Sequence, residues 1–376
     1  MTIIILSGIL SIIWASLSQK NKTLALADCS NVTINKYQKF TVAYYVMSFL
    51  SLAIPCFVCG TGTDMPVYID IYENASLNTI NDSKFEPGYI LLNIILRFFF
   101  KNAYIGLGVI KVVSLFLIYK SLYMLRDRVH IGFSIASYVV LLYIFNYHLL
   151  RICLAVGMVF LALSYEMCGK TKRSFVLLAS TIFIHYSSLI VLITFIAYKI
   201  LGREMRPLKI VILSLLLMII YTSIVPIVSS VLTSVTRFDK YSTYFNQATT
   251  DSGKIQLILF VPIAYILLIA YRYGKRDKFY ILNFLFGLML YFAGSLGYIF
   301  PVAGRTTYYF FWFAVAFFGA TPLLRDKIVF VAGKVRINST SVVAVVYLIL
   351  QGIISYFLTN SFVSNGLTQF IPWWGL

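Results

Sequence analysis

Five polar residues in this sequence could carry chemistry: two arginines, one histidine and two carboxylates. Arg151 and Arg305 lie at the ends of apolar runs, and His185 lies in the middle of another. Asp64 and Glu86 belong to the acidic segment between two apolar runs. Arginine keeps a planar positive charge near apolar surroundings and can donate two hydrogen bonds to a phosphate. If the two arginines and the histidine converge, they predict a pocket for an anionic head group that enters from the outer leaflet.

A simpler alternative exists for the same residues. Both arginines could extend to the membrane interface, or pair with the acidic residues of the outer segment. The carboxylates could cap helices or pair with an arginine.

Other kinds of site find no support in the sequence. There is no P-loop, no G-x-S-x-G and no H-E-x-x-H, and the chain has only three histidines. The acidic segment could hold a metal ion, but its spacing is not diagnostic of one. Cys56 and Cys59 form a C-x-x-C, which we interpret as small residues in a helix and not as a redox pair. We therefore predict no cofactor and no metal.

The composition identifies the class of protein that positions these residues. The chain has 376 residues, is 60% hydrophobic and 12% charged, and has a mean hydropathy of +0.87. Apolar runs recur from end to end, which is typical of a polytopic helical membrane protein. The net charge is +18, but most basic residues lie in short loops where they set topology. Nucleic-acid binding is therefore not predicted.

The apolar run around His185 carries basic residues at both ends, from Lys170 to Arg173 and from Lys199 to Lys209. Short loops rich in Lys and Arg stay cytoplasmic, so the segment must enter the membrane and return. Each limb would have about 12 residues, or roughly 18 Å of helix, against a hydrocarbon core of about 30 Å. The turn falls at His185-Tyr186-Ser187. Non-helical backbone at that depth needs surrounding protein or a water-filled cavity, so we predict a cavity at His185.

Reading the remaining runs in the same way predicts one transmembrane domain over residues 1–376, with about twelve helices including the short pair. Residues 60–102 form a predicted outer-face loop with an interfacial or re-entrant helix from Pro87 to Lys101. Residues 229–254 form a second outer-face loop, and Arg305 is placed in a short outer turn. Without the short pair, the inward bias of the basic residues after Lys199 would invert.

Several short motifs in a fixed order resemble a known family. They are Gly62-Thr63-Asp64 with Tyr68 and Tyr72, Glu86-Pro87-Gly88-Tyr89, Arg151 with Leu154-Ala155, Ile184-His185-Tyr186-Ser187, and Arg305 with Tyr309-Phe310. From about residue 40 to the Pro372-aromatic tail, the chain is similar to the EpsG family of Wzy-type polysaccharide polymerases.

The resemblance implies a multi-pass protein of a bacterial inner membrane that makes O-antigen, capsule or exopolysaccharide. It would join undecaprenyl-pyrophosphate-linked repeat units on the outer face, with a fold similar to O-antigen ligases and GT-C-type glycosyltransferases. Such proteins work beside a flippase and a chain-length regulator. In this chain, Arg151 and Arg305 would bind the donor pyrophosphate, His185 would complete that pocket or orient the acceptor, and Glu86 or Asp64 would be the general base.

Two other functions fit a basic outer cavity. A flippase or exporter of lipid-linked oligosaccharide would predict alternating access and often internal repeats, which the sequence does not display. A membrane acyltransferase that uses His185 on a polysaccharide hydroxyl would need a second catalytic group near that histidine, and would place no demand on two distant arginines.

Overall fold

A computed structural model gives the architecture of most of the chain. It describes the backbone of residues 2–27, 31–62, 64–82, 85–201, 207–233, 264–265, 268–269, 277–296, 301–324, 328–332, 335–363 and 371–375. Side chains are described for a smaller set, which leaves out that of Arg305. Most of the second predicted outer-face loop, from residue 234 to residue 254, lies outside the described residues.

Helices make up nearly all of the described chain. In order, they are α1 (Thr2–Ala27), α2 (Asn31–Val58), α3 (Met65–Asn74), α4 (Thr79–Asp82), α5 (Pro87–Phe99), α6 (Ala103–Met124), α7 (Ile131–Tyr138), α8 (Phe145–His148), α9 (Leu150–Met167), α10 (Thr171–Ile184), α11 (Leu189–Leu201), α12 (Pro207–Thr233), α13 (Lys278–Leu296), α14 (Pro301–Phe310), α15 (Phe318–Ala320) and α16 (Ser339–Val363). Two π-helical segments, Val139–Tyr143 and Phe313–Phe317, interrupt the apolar helices.

Four of the described helical segments are long and apolar enough to cross a membrane: Thr2–Lys20, Lys39–Val58, Ala103–Met124 and Leu150–Met167. Six shorter apolar helices accompany them: Pro87–Phe99, Ile131–Tyr143, Tyr186–Ile200, Leu208–Ile220, Lys278–Gly294 and Ser339–Ile353. The protein is therefore a membrane protein built of helices, as predicted. The count of about twelve passes and the likeness to GT-C-type enzymes stay predictions.

One element of the fold differs from the predicted all-helical pattern. Strands β1 (Ile328–Ala332) and β2 (Val335–Asn338) pair antiparallel, with Phe330 opposite Ile337. The basic residues from Arg325 to Arg336 predict only an inner-side loop here. Ile328, Val329 and Val331 are β-branched, and such side chains pack well on a pleated hairpin.

The N-terminal helices are longer than their apolar runs. The sequence predicts that α1 ends near residue 17 and that a loop continues to residue 39. Instead α1 continues to Ala27 and α2 begins at Asn31. Polar residues such as Gln19 and Lys20 have good helix propensity, so a helix need not end where hydropathy falls.

The predicted break at His185 is confirmed. Helix α10 ends at Ile184, and His185 has an extended backbone with φ −155° and ψ 113°. A 3₁₀ turn from Tyr186 to Ser188 then leads into α11. The two limbs have 14 and 13 residues, so each is about 20 Å long and shorter than a membrane span.

A buried carboxylate ties the other end of this short pair to α9. Lys199 of α11 places its Nζ 2.5 Å from Oε1 of Glu166, whose side chain is fully buried. The hydroxyl of Thr171 donates to Oε2 of the same carboxylate over 2.9 Å. Glu166 therefore joins α9 to the start of α10 and the end of α11, which fixes the hairpin at its base.

A small apolar cluster of α3, α5, α6 and α9 holds the region of interest together. Its fully or almost fully buried members include Tyr72, Tyr89, Leu107 and Leu150. Tyr72 donates a 2.6 Å hydrogen bond to the carbonyl of Phe100, which joins α3 to the end of α5. The short helices of the 60–102 segment are thus packed onto α6 and α9, two of the helices long enough to cross a membrane.

Two glycines allow close approach of backbones at this cluster. A Cβ at Gly88 would lie 2.7 Å from the carbonyl oxygen of Phe183, at the end of α10. A Cβ at Gly62 would lie 2.2 Å from the carbonyl oxygen of Tyr147. No side chain fits at such distances, so both positions need glycine for the 60–102 segment to pack against Phe183 and Tyr147.

Candidate functional site

Glu86 and Arg151 form an ion pair between Oε2 and Nη1. Glu86 is the residue before Pro87, which starts α5, and Arg151 is the second residue of α9. The side chain of Glu86 is 1% exposed and that of Arg151 is 17% exposed. A carboxylate with so little access to water needs a charged partner, and Arg151 supplies it.

The second oxygen of Glu86 faces the turn of the short pair. Its Oε1 accepts a hydrogen bond from the backbone N–H of Tyr186 over 3.4 Å. One carboxylate therefore joins the start of α5, the start of α9 and the turn that follows His185. Three of the motifs that the sequence places far apart meet at this point.

Aromatic rings surround the guanidinium of Arg151. Tyr68 lies near enough for its hydroxyl to interact with the guanidinium charge, and the ring of Phe85 lies 4.7 Å from the Cζ of Arg151. The ring of Tyr89 lies 5.9 Å away. Burial raises the pKa of Tyr68 to about 12, although the nearby positive charge of Arg151 opposes that shift. Tyr68 is therefore neutral at physiological pH.

The Nε of Arg151 is buried and has no hydrogen-bond partner among the described residues. A buried N–H without an acceptor is costly and calls for an explanation. An oxygen of a bound anion would supply the acceptor, since a guanidinium can bind one anion through Nε and another through an Nη atom.

His185 belongs to a second set of contacts in the same turn. Its Nδ1 lies 2.8 Å from the hydroxyl oxygen of Ser187 and accepts from the Ser187 N–H over 3.3 Å. The same hydroxyl lies 3.1 Å from that of Tyr309 in α14. The rings of His185 and Tyr309 meet edge to face with their centroids 6.5 Å apart. These contacts fix the orientation of the imidazole.

The predicted position of Arg305 in an outer turn is wrong. Residue 305 lies inside α14, which begins at Pro301. Proline is favoured at a first helical position because it has no N–H to satisfy there, so this Pro301 starts a helix where hydropathy indicates a loop. Residues 305 and 309 are four apart and share one face of α14, and α14 contacts both α9 and the turn after His185. The Arg305 side chain lies outside the described residues.

Asp64 precedes a different helix from Glu86. It is the residue before α3, is half-buried, and makes no side-chain cap bond to that helix. Its negative charge acts on Tyr68, one helical turn later, and Tyr68 contacts Arg151. The backbone N–H of Tyr68 also donates to the carbonyl of Asp64 over 3.0 Å, so Asp64 is connected to the site through Tyr68.

Three residues of the family motifs contact the site residues in ways that their sequence positions do not indicate. Tyr68 contacts the guanidinium of Arg151, while Ser187 and Tyr309 hold His185. Phe85 belongs to none of these motifs. Its adjacency to Glu86 was the available signal, since an aromatic ring beside a buried ion pair excludes water from it.

No group of three or more His, Cys, Asp or Glu residues in the described part of the chain is arranged to hold a metal ion. The polar groups that converge are instead a guanidinium, a carboxylate, an imidazole and hydroxyls. This set can bind an anion and move a proton.

The helices and this site define a multi-pass membrane protein with a buried arginine–carboxylate pair beside a helix break. Comparison with family models identifies the family, because the model of the EpsG family matches residues 41–373. The chain therefore belongs to the EpsG family. Membership in that family suggests a polysaccharide-polymerase-like role. No curated protein and no solved structure matches the chain significantly.

Proposed function

We propose that this protein is a glycosyltransferase that polymerises lipid-linked oligosaccharide repeat units. It acts at the outer face of a bacterial inner membrane on undecaprenyl-pyrophosphate-linked substrates. The observation that carries the proposal is the buried Glu86–Arg151 pair, whose carboxylate also contacts the turn that holds His185. Family membership supports the same role.

The reaction joins a sugar hydroxyl of one unit to the anomeric carbon of another. The new glycosidic bond forms as the anomeric C–O bond to the pyrophosphate breaks, and that electron pair stays on the phosphate oxygen. The hydroxyl proton passes to a carboxylate. The lipid pyrophosphate leaves with its added negative charge, so groups that stabilise this charge lower the barrier.

Arg151 is suited to stabilise that charge. Its Nη1 holds Glu86, while its buried Nε has no described acceptor and can donate to a phosphate oxygen. We place Arg305 on the same anion, because α14 contacts both α9 and the turn at His185.

Of the two candidate bases, Glu86 is the better supported, because it contacts both Arg151 and the turn after His185. As long as Arg151 pairs with it, the carboxylate is stabilised in its charged form and is a weak base. A bound pyrophosphate would compete for the guanidinium and weaken this pairing, so donor binding would strengthen Glu86 as a base. His185, oriented by Ser187, is suited to position the acceptor hydroxyl. Asp64 is the alternative base.

The test is deletion of the gene and complementation with variants, with polymer length measured on gels. Arg151→Ala, His185→Ala and Glu86→Gln are expected to leave single repeat units on the cell surface. The matched control is Arg128→Ala, because Arg128 pairs with Asp277 on an exposed surface and should restore full-length polymer. Membrane levels of each variant are measured in parallel. Full ladders from all three site variants would refute the proposed mechanism, and single units trapped inside the cell would indicate a transporter.

A further inference from the structure

The described tail near the C-terminus is held against the loop that leads into α3. The backbone N–H of Gly60 donates to the carbonyl of Ile371 over 2.9 Å, and Cys59 forms an antiparallel bridge with Pro372. Backbone pairing of this kind fixes the position and direction of a segment. The two residues that follow, Trp373 and Trp374, are therefore placed by the loop.

That loop is itself fixed from two further sides. The carbonyl of Cys59 accepts a 2.8 Å hydrogen bond from Nζ of Lys111, which is fully buried in α6. Gly62 packs closely against the backbone of Tyr147. The loop then enters α3, whose Tyr68 contacts Arg151. The tail thus lies at the same end of the helices as the candidate site.

The two indoles form a small aromatic surface. Their ring centroids are 5.4 Å apart at an angle of 78°. Trp374 is 65% exposed. The indole Nε1 of Trp373 is buried and has no acceptor in the part of the chain that the structure describes. An indole offers a broad apolar face and one N–H donor, and the N–H usually finds a partner when it is buried.

We propose that Trp373 and Trp374 bind the sugar portion of the substrate. The exposed indole face of Trp374 stacks on the C–H face of a pyranose ring, and the Trp373 N–H donates to a sugar hydroxyl. A neutral aromatic pair suits the C–H face of a saccharide, while Arg151 suits the pyrophosphate. This inference rests on the proposed function, and it adds the residues that hold the saccharide.

A membrane anchor is the other reading of exposed tryptophans. The structure favours the saccharide, because an anchor needs no backbone pairing with Gly60. In addition, α5 already exposes a pair of aromatic residues suited to lipid, Phe98 and Phe99, which are 84% and 68% exposed. This second pair provides a matched control.

The binding test uses the purified full chain in lipid nanodiscs. The probe is a set of oligosaccharides made by partial acid hydrolysis of the host's own polysaccharide, and the dissociation constant is measured by saturation-transfer difference NMR. Trp373→Ala/Trp374→Ala is expected to weaken binding about fivefold or more, and Trp373→Phe/Trp374→Phe to weaken it less, since a ring is retained. Phe98→Ala/Phe99→Ala is expected to leave binding unchanged. Equal binding by all variants, or an equal loss in both alanine pairs, would overturn the inference.

A test in cells separates this inference from the proposed function. In the gene deletion, the Trp373→Ala/Trp374→Ala variant is expected to give shorter ladders than wild type at equal membrane level. Full ladders from this variant, with deletion still abolishing polymer, would refute sugar binding by the tail and leave the polymerase role intact. Full ladders after deletion itself would refute the polymerase role, and the NMR measurement would still decide whether the tail binds saccharide.

Discussion

Arg151 binds Glu86 across 65 positions of sequence, and both side chains are largely removed from water. The pair joins the start of α9, which is long enough to cross a membrane, to the start of the shorter α5. Removing one partner from a buried ion pair leaves a charge without compensation, which costs more than removing both.

Single and double substitutions at this pair should therefore differ in stability. Arg151→Met is expected to lower the free energy of unfolding by about 3–5 kcal/mol, while Arg151→Met/Glu86→Leu recovers most of that loss. Neither protein should make polymer. Thermal unfolding of the detergent-purified proteins measures the first effect, and the gel assay measures the second. A double variant as unstable as the single one would contradict this account of the pair.

The close contact of Gly88 with α10 predicts a strong effect of one methyl group. Gly88→Ala would place a Cβ 2.7 Å from the carbonyl oxygen of Phe183, so α5 must shift. Overpacking of this kind costs about 1–3 kcal/mol and would move Glu86 away from Arg151. We expect lower melting temperature and shorter polymer. Leu91→Ala is the control on the same helix, since Leu91 is exposed and its loss should change stability by about 0.5 kcal/mol or less.

The hydroxyl of Tyr309 should matter for activity more than for stability. Tyr309→Phe removes its contact with the hydroxyl of Ser187, which in turn holds His185. One lost hydrogen bond is expected to cost about 1 kcal/mol of stability, and the less ordered imidazole should lower the polymerisation rate several-fold. Tyr45→Phe is the matched control, because it also loses one hydroxyl hydrogen bond, which is donated to the carbonyl of Tyr119 outside this site. Equal rates for the two variants would show that this contact does not position His185.

His148 should make stability depend on pH. Burial and the nearby positive charge of Lys111 lower the pKa of His148 to about 4, so the folded protein holds a neutral imidazole. The unfolded chain takes up this proton near pH 6.5. Protonation of this residue therefore leaves stability unchanged above about pH 6.5 and lowers it as pH falls toward 4, by an amount on the order of 3 kcal/mol.

Melting temperatures of wild type and His148→Gln between pH 7 and pH 4 measure this effect. The wild-type value should fall more steeply with acid than that of the variant. Parallel curves would indicate that other groups control the acid response.

Hydropathy and charge were sufficient to predict the helical membrane class and the break at His185. The break could be predicted because basic residues at both ends of one apolar run leave only one topology. The contacts of Glu86 with Arg151 and Tyr186 could not be predicted, since no local pattern connects residues so distant in sequence. The sequence did leave open that a carboxylate pairs with an arginine, and the structure has that pairing for Glu86.

Two local errors have a common cause. The predicted turn at Arg305 is helix α14, and the predicted loop between residues 17 and 39 is largely helical. Hydropathy measures the preference of a segment for lipid, whereas helix formation depends on backbone hydrogen bonds and propensity. A polar helix end therefore looks like a loop in a hydropathy profile.

Helix α5 connects the membrane to the ion pair mechanically. It is a rod of 13 residues, about 20 Å long, with Glu86 at one end and the exposed rings of Phe98 and Phe99 at the other. If the surrounding lipid tilted a helix this short, the carboxylate at the opposite end would move with it. The thickness of the surrounding lipid would then set the distance between Glu86 and Arg151, so bilayer composition would change the strength of this ion pair.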